Sequence, residues 1–307
     1  MKKILLLGGG GFIGRHLASE LADDYAVIVA DINMADENKV DGVSYVVCDF
    51  VLGQDLSRIV KDADIIINLI CTILPEDGTG NMEKEISDNV FPVVRLLDSI
   101  KDIIPKKKLF FISSGGTVYG NSSDVLQKER DQTWPICKYG FVKSITEQIL
   151  ELYHVMHGVQ YCNVRIANPY GTKMRRGQRQ GLIPILADCV WNDNEFTLWG
   201  DGEAVRDYIH ISDVAKAMRL LIEYDGMERV FNLGSGKGHS VNDVIKILER
   251  HIGRKYNKLV RRPPRLCDVK SNVLDISLLT ECTGWKPEIN LEEGIVKLVQ
   301  SYERRQT

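Results

Sequence analysis

Apolar residues fall along the chain in two alternating rhythms. Short unbroken runs occupy residues 4–7, 26–30, 43–47, 63–69, 109–112 and 159–166. Runs of this length without polar alternation predict strands covered on both faces. Between them, apolar positions recur every three or four residues and predict helices starting at Phe12 and over 56–61, 86–103 and 139–157. Gly158 closes the last of these as a C-cap. The composition of 75–81 is that of a loop. Strand and helix alternate throughout, which predicts an α/β fold with a doubly wound parallel sheet, a Rossmann-type domain.

Beyond Gly171 the pattern changes. Residues 173–181 are polar, basic and glycine-bearing, and predict a mobile loop. Helices are expected over 182–191, 214–223 and 240–251, the last with Ser240 and Asp243 spaced as a capping box. Short strands are expected at 196–199, 207–210 and 230–233, and 258–262 reads as an extended basic segment. The chain therefore divides into a dinucleotide domain of 1–168, rejoined by 205–235, and a smaller C-terminal α/β domain of 169–204 and 236–307.

Composition narrows the partners. The 307 residues carry a net charge of −3 with no long basic block, which argues against nucleic acid or an anionic membrane. The longest apolar stretch, 63–74, contains Asp64 and Asn68 and is too short to span a bilayer. The opening residues lack the features of a secretory leader, so a cytoplasmic location is expected. Seven cysteines stand singly with no C-x-x-C pair, so reduced core thiols are expected and no metal site.

The first strand runs directly into Gly8 to Gly11 and then Gly14. Gly9, Gly11 and Gly14 fit G-x-G-x-x-G, and Gly8, Gly11 and Gly14 fit G-x-x-G-x-x-G. A strand, a glycine turn and a helix start form a phosphate-binding corner. Asp31 ends the second strand, where an acid accepts hydrogen bonds from a ribose. No Lys or Arg stands at 32 or 33 to receive a 2′-phosphate, so NAD is expected over NADP. Asp49 is placed to meet the adenine edge. Tyr139 and Lys143 are four apart on one helix face. An ammonium so placed is expected to lower the phenol's pKa. The phenolate then takes a hydroxyl proton while a nicotinamide takes the hydride.

With GGGGFIG (8–14), DNV (88–90), SSGGTVYG (113–120), YGFVK (139–143), VRIANPYG (164–171), WGDGEAVRDYIHISDVA (199–215), PRLCD (264–268) and GWKP (284–287), the chain resembles the extended short-chain dehydrogenase/reductases. Within them it resembles the nucleotide-sugar epimerases and dehydratases. The resemblance implies Tyr139 as catalytic base, Lys143 on the nicotinamide ribose, and Phe12, Ile13, Phe50, Leu69 and Asn89 among the cofactor contacts. It implies Asn168, Arg206 and Arg265 on the sugar diphosphate, Asp268 near the nucleotide ribose, and Leu182, Trp199 and Asn272 as further substrate contacts. Asn272 stands where a bulkier tyrosine goes with unmodified hexoses, so an N-acetylhexosamine is expected to fit.

The departures matter as much. Gly116 and Thr117 stand where dehydratases carry an acidic pair and decarboxylases a glutamate, which argues against both reactions. Gly115 stands where epimerases place a serine or threonine. The hydroxyl must then come from Ser114 or Thr117, with Thr117 favoured. Cys71 to Leu74 replaces a stretch that often offers the cofactor a lysine. The expected function is NAD-dependent 4-epimerisation of a UDP-hexose through a 4-keto intermediate. The alternatives are an NAD(P)H-dependent reductase of a nucleotide-linked 4-keto sugar and a non-catalytic dinucleotide-binding regulator. A homodimer through helices 86–103 and 139–157 is expected, with Phe141, Ile145 and Leu152 on their outer faces.

Overall fold

The computed structural model describes residues 1–32, 39–52, 57–73, 81–101, 107–121, 126–173, 181–265 and 268–303. The predicted loops at 75–81 and 173–181 lie almost wholly outside them, as do Cys267 and the end of the predicted 86–103 helix. In chain order the strands are β1 (Lys3–Leu7), β2 (Ala26–Asp31), β3 (Ser44–Val47), β4 (Ile65–Asn68), β5 (Lys108–Ser114), β6 (Gln160–Ile166), β7 (Asn168–Tyr170), β8 (Phe196–Trp199), β9 (Val205–His210), β10 (Val230–Leu233), β11 (Gly238–Ser240), β12 (Leu259–Arg262) and β13 (Ser271–Asn272). The helices are α1 (Phe12–Leu21), α2 (Ser57–Asp62), α3 (Met82–Asn89), α4 (Phe91–Ile100), α5 (Lys138–His157), α6 (Leu182–Asn192), α7 (Ile211–Glu223), α8 (Val241–Ile252), α9 (Ser277–Thr283) and α10 (Leu291–Glu303).

Seven strands form one parallel sheet in the order β10-β6-β5-β4-β1-β2-β3. Its strands alternate between two cores. Ile4 and Leu6 pack with α1 and α7 on one face, while Leu5 and Leu7 pack with α2, α4 and α5 on the other. Burial on both faces is why these strands read as solid apolar runs. The order reverses direction between β1 and β4, and their carboxyl ends open the crevice where such sheets bind ligands.

The predicted helix over 86–103 is two helices, α3 and α4, meeting at Val90. Pro92 stands at the start of α4, where its missing N–H costs nothing, and it cannot continue α3. Helices α9 and α10 and strands β7, β11 and β13 lie outside the expected elements; α10 buries Leu291, Ile295, Leu298, Val299 and Tyr302, a helical spacing. Of the stretch 205–235, β10 pairs into the large sheet and α7 packs on its face. Strand β9 instead sits in a second, four-stranded sheet with β7, β11 and β13. A third core, centred on Tyr170, Leu186, Tyr208, Leu248 and Leu298, lies under α6, α8 and α10. The Ser240–Asp243 capping box forms as expected.

His210 ends β9 almost fully buried, and its Nδ1 accepts from the Ser212 amide at 3.3 Å. Burial is the main reason that its pKa is pulled down to about 4. A histidine held neutral in the fold contributes stability above the unfolded value near 6.5, and loses it as pH falls toward 4. Thermal melts should fall between pH 6.5 and 4 by the equivalent of about 2 kcal/mol. His210→Gln should flatten that slope.

Candidate active site

The glycine corner is built by close approach. Gly8 has φ +74°, and its N–H donates to the Ala30 carbonyl at 2.8 Å. A Cβ on Gly14 would lie 2.4 Å from Gly9 Cα, so α1 starts in backbone contact with the turn. Gly11 caps α1 with no side chain over its first amides. These free N–H groups and the absence of a Cβ make a cradle that fits a dinucleotide pyrophosphate. Asp31 lies at the corner, and one carboxylate oxygen accepts from Gly10 N–H at 2.9 Å. Phe12 and Ile13 open α1 half-buried.

The rest of the expected cofactor wall has particular roles. Asp49 closes a turn by accepting from the Leu52 amide at 3.0 Å, and Phe50 is buried in the core. Leu69 extends β4 alongside Leu7. Asn89 grips the β4 exit, accepting from the Thr72 amide at 2.8 Å and donating to the Thr72 hydroxyl at 2.9 Å. The stretch that lacks a lysine is thereby fixed in place.

Helix α5 carries the centre of the site. Its cap, Cys137, accepts from Gly140 N–H through sulfur at 3.4 Å. A Cβ on Gly140 would lie 2.6 Å from the Thr117 carbonyl, so the helix start rests on the turn after β5. That packing brings Tyr139 into hydrogen-bond contact with Ser114. Thr117 Oγ1 is buried and has no partner among the described residues. Ser114 thus lies beside the phenol, while Thr117 carries that unpartnered buried hydroxyl on the same turn. Lys143 Nζ donates to the Ile112 carbonyl at 2.8 Å and sits 5.7 Å from the centre of the Tyr139 ring.

This geometry corrects the expected acidity. Burial raises the Tyr139 pKa well above the tyrosine range, and the Cys71 thiol reinforces the rise. Only the Ser114 hydrogen bond opposes it among the main contributions. The Lys143 Nζ donates to a backbone carbonyl while it faces the ring.

Gly115 has a physical explanation. A Cβ there would lie 2.5 Å from Leu274 Cδ1, and the Gly115 carbonyl accepts from Asn272 Nδ2 at 2.9 Å. Leu274 fills the space that a serine would need. Gly115→Ser is expected to destabilise by about 2 kcal/mol. In a Leu274→Ala background, which carries its own cavity cost, the added cost of Gly115→Ser should be smaller in urea titrations, because the new hydroxymethyl then has room.

The substrate end lies on the second sheet. Asn168 on β7 donates to the Asp207 carbonyl at 2.9 Å, and Arg206 on β9 pairs in register with Asn272 on β13. Burial pulls the Arg206 pKa down, while Tyr208 and Asp268 oppose that shift. The Arg265 guanidinium lies 4.5 Å from the centre of the Trp199 ring, and the Arg265 backbone N–H donates to the Asp268 carboxylate at 3.4 Å. Arg206, Arg265, Asp268 and Trp199 are thus brought together. Leu182 opens α6 and packs on the third core. Asn272 is only 1% exposed and spends its amide on Gly115, so it braces the hydroxyl turn from below. Leu274, against Gly115, is a neighbour of this turn that the linear pattern did not reveal.

A sequence model of the NAD dependent epimerase/dehydratase family matches residues 4–234. A dTDP-4-dehydro-6-deoxyglucose reductase of Escherichia coli is 32% identical over 97% of this chain and 96% of its own. The solved UDP-glucose 4-epimerase of Thermotoga maritima, with UDP-glucose, superposes with a TM-score of 0.89 at 29% identity, covering 99% of this chain and 100% of that one. A UDP-N-acetylglucosamine 4-epimerase from Methanobrevibacter ruminantium, in complex with UDP-N-acetylmuramic acid, gives 0.88 at 26% identity with 99% of each chain covered.

Proposed function

The chain belongs to the NAD dependent epimerase/dehydratase family, and from that premise we propose that it interconverts a UDP-hexose and its C4 epimer. The observation that carries this is the Tyr139–Lys143 pair on one face of α5, with Lys143 Nζ 5.7 Å from the centre of the phenol ring and held by the Ile112 carbonyl of β5, a central strand. NAD, when bound, supplies the hydride acceptor and a positive ring charge. Ser114 relays the 4-hydroxyl proton to Tyr139, whose phenol needs a cation nearby to lose its own proton. Lys143 holds the cofactor ribose. Arg206 and Arg265 take the diphosphate, a task suited to planar guanidinium forks. Gly116 and Thr117 supply no carboxylate for water or carbon dioxide loss, which favours epimerisation within the family.

The E. coli relative favours a second reading, the reduction of a nucleotide-linked 4-keto sugar. It uses the same residues but consumes a reduced cofactor. A panel of UDP-hexoses and UDP-N-acetylhexosamines, followed by proton NMR, separates the two. New epimer signals without added NADH support epimerisation. No epimer from any sugar, together with stoichiometric NAD(P)H loss on a 4-keto sugar, overturns it. The exposed apolar side chains Phe91, Phe141, Leu152, Val155 and Met156 on α4 and α5 support a homodimer through these helices.

A further inference from the structure

One turn beyond Lys143, the same face of α5 carries Glu147. It is buried, with its side chain 7% exposed, and is matched by Arg165 on β6, also 7% exposed. The pair is a fork. Arg165 Nε donates to both carboxylate oxygens at 3.1 Å, and Nη2 donates at 2.6 Å. Glu147 also accepts from the Ser113 hydroxyl, and Ser113 is the register partner of Arg165 across β5 and β6. The remaining arm of the guanidinium, Nη1, donates to the Tyr119 hydroxyl at 2.9 Å and to the Glu129 carbonyl at 3.0 Å. Tyr119 in turn donates to Asn232 at 2.6 Å.

The topology of these bonds is informative. Ser113 and Ser114 end β5, and the turn that follows them runs to Tyr119. Ser113 and Tyr119 are both tied to one guanidinium, the first through Glu147 and the second directly. The helix that carries Tyr139 is tied to the same group. A buried ion pair is a poor device for stability alone, because desolvation consumes most of its Coulombic gain. Its distinctive property is a fixed, bidentate geometry.

We propose that Glu147 and Arg165 are a positioning pair that sets Tyr139 against Ser114 by clamping α5 and both ends of the hydroxyl turn to a single group. Neither touches the reacting atoms. The inference rests on the reading of Tyr139 as the proton acceptor in UDP-sugar turnover. A shift of about 1 Å at such a pair is enough to cost large factors in rate.

The test compares full-length wild type with Glu147→Gln and with the paired apolar replacement Glu147→Leu/Arg165→Met, all loaded with NAD. The double variant should keep its melting temperature and its NAD content. Its kcat should fall at least about tenfold with KM within about twofold. The Tyr139 titration, read as the tyrosinate ultraviolet difference against Tyr139→Phe, should shift. Glu147→Gln keeps an oxygen for Ser113 and should lie between the two. A double variant with wild-type kcat and titration overturns the proposal. So does a kcat loss no larger than the loss of folded protein. Should the double variant not fold, wild-type kcat and titration in Glu147→Gln alone overturn it. If wild type turns over no UDP-sugar, the epimerase reading fails, and the tyrosinate titration still decides whether the pair positions the phenol.

Discussion

Tyr139→Phe is expected to lower kcat about 1,000-fold while leaving NAD content, KM and melting temperature near wild type. The phenol hydroxyl is the group in hydrogen-bond contact with Ser114, and its loss removes the proton acceptor without emptying any apolar space. Ser114→Ala should cost less, about tenfold to a hundredfold, because water can replace a hydroxyl relay more readily than a base. The pH profile follows from the raised phenol. In wild type, kcat should rise with pH until Tyr139 is ionised in the complex, since the deprotonated form is the active one and burial holds the protonated form to higher pH. Single-turnover NMR and stopped-flow absorbance across pH 6 to about 10 test this, the upper limit being the ordinary tyrosine value. A Tyr139→Phe protein with unchanged kcat would remove the phenol from the chemistry.

Gly14→Ala is expected to be the most damaging single methyl group in the dinucleotide corner. Its Cβ would lie 2.4 Å from Gly9 Cα and 2.5 Å from the Gly9 carbonyl oxygen, and these are backbone atoms that cannot rotate away. Relief requires pushing α1 off the turn, which costs about 3 kcal/mol and spoils the aim of the free amides. The variant should purify without NAD and melt well below wild type. Perchloric acid release of bound nucleotide and differential scanning fluorimetry check both parts. Gly11→Ala is the control for the melting temperature alone: its Cβ would meet only the Gly8 carbonyl oxygen at 3.5 Å.

The central strands and the glycine corner were legible because their physics is local. A buried strand must be apolar along its length, and Gly14 is dictated by a neighbour five residues away. Tyr139 and Lys143 were legible for the same reason, since one helical turn separates them. What the sequence hid is set by distant partners. Gly115 looks like a missing hydroxyl until Leu274 is seen in its space, and the Asn272 amide that holds its carbonyl comes from 157 residues away. The phenol's acidity was misjudged because spacing brings an ammonium to the ring, while the Ile112 carbonyl decides where its protons point. The division between α3 and α4 turns on one proline inside an otherwise continuous apolar period.

Strand β10 enters the large sheet from the far end of the chain and covers the outer side of β6, with Phe231 beside Val164 and the Asn163 amide donating to the Arg229 carbonyl at 2.7 Å. A shortened gene product stopping near residue 168 would strip that cover and bare a hydrophobic border of unpaired amides, an invitation to stack with its own kind. Grafting the cofactor half onto another sugar-recognition half by a simple head-to-tail splice would meet the same obstacle. Exchange between such proteins must carry the late strand along with the early ones.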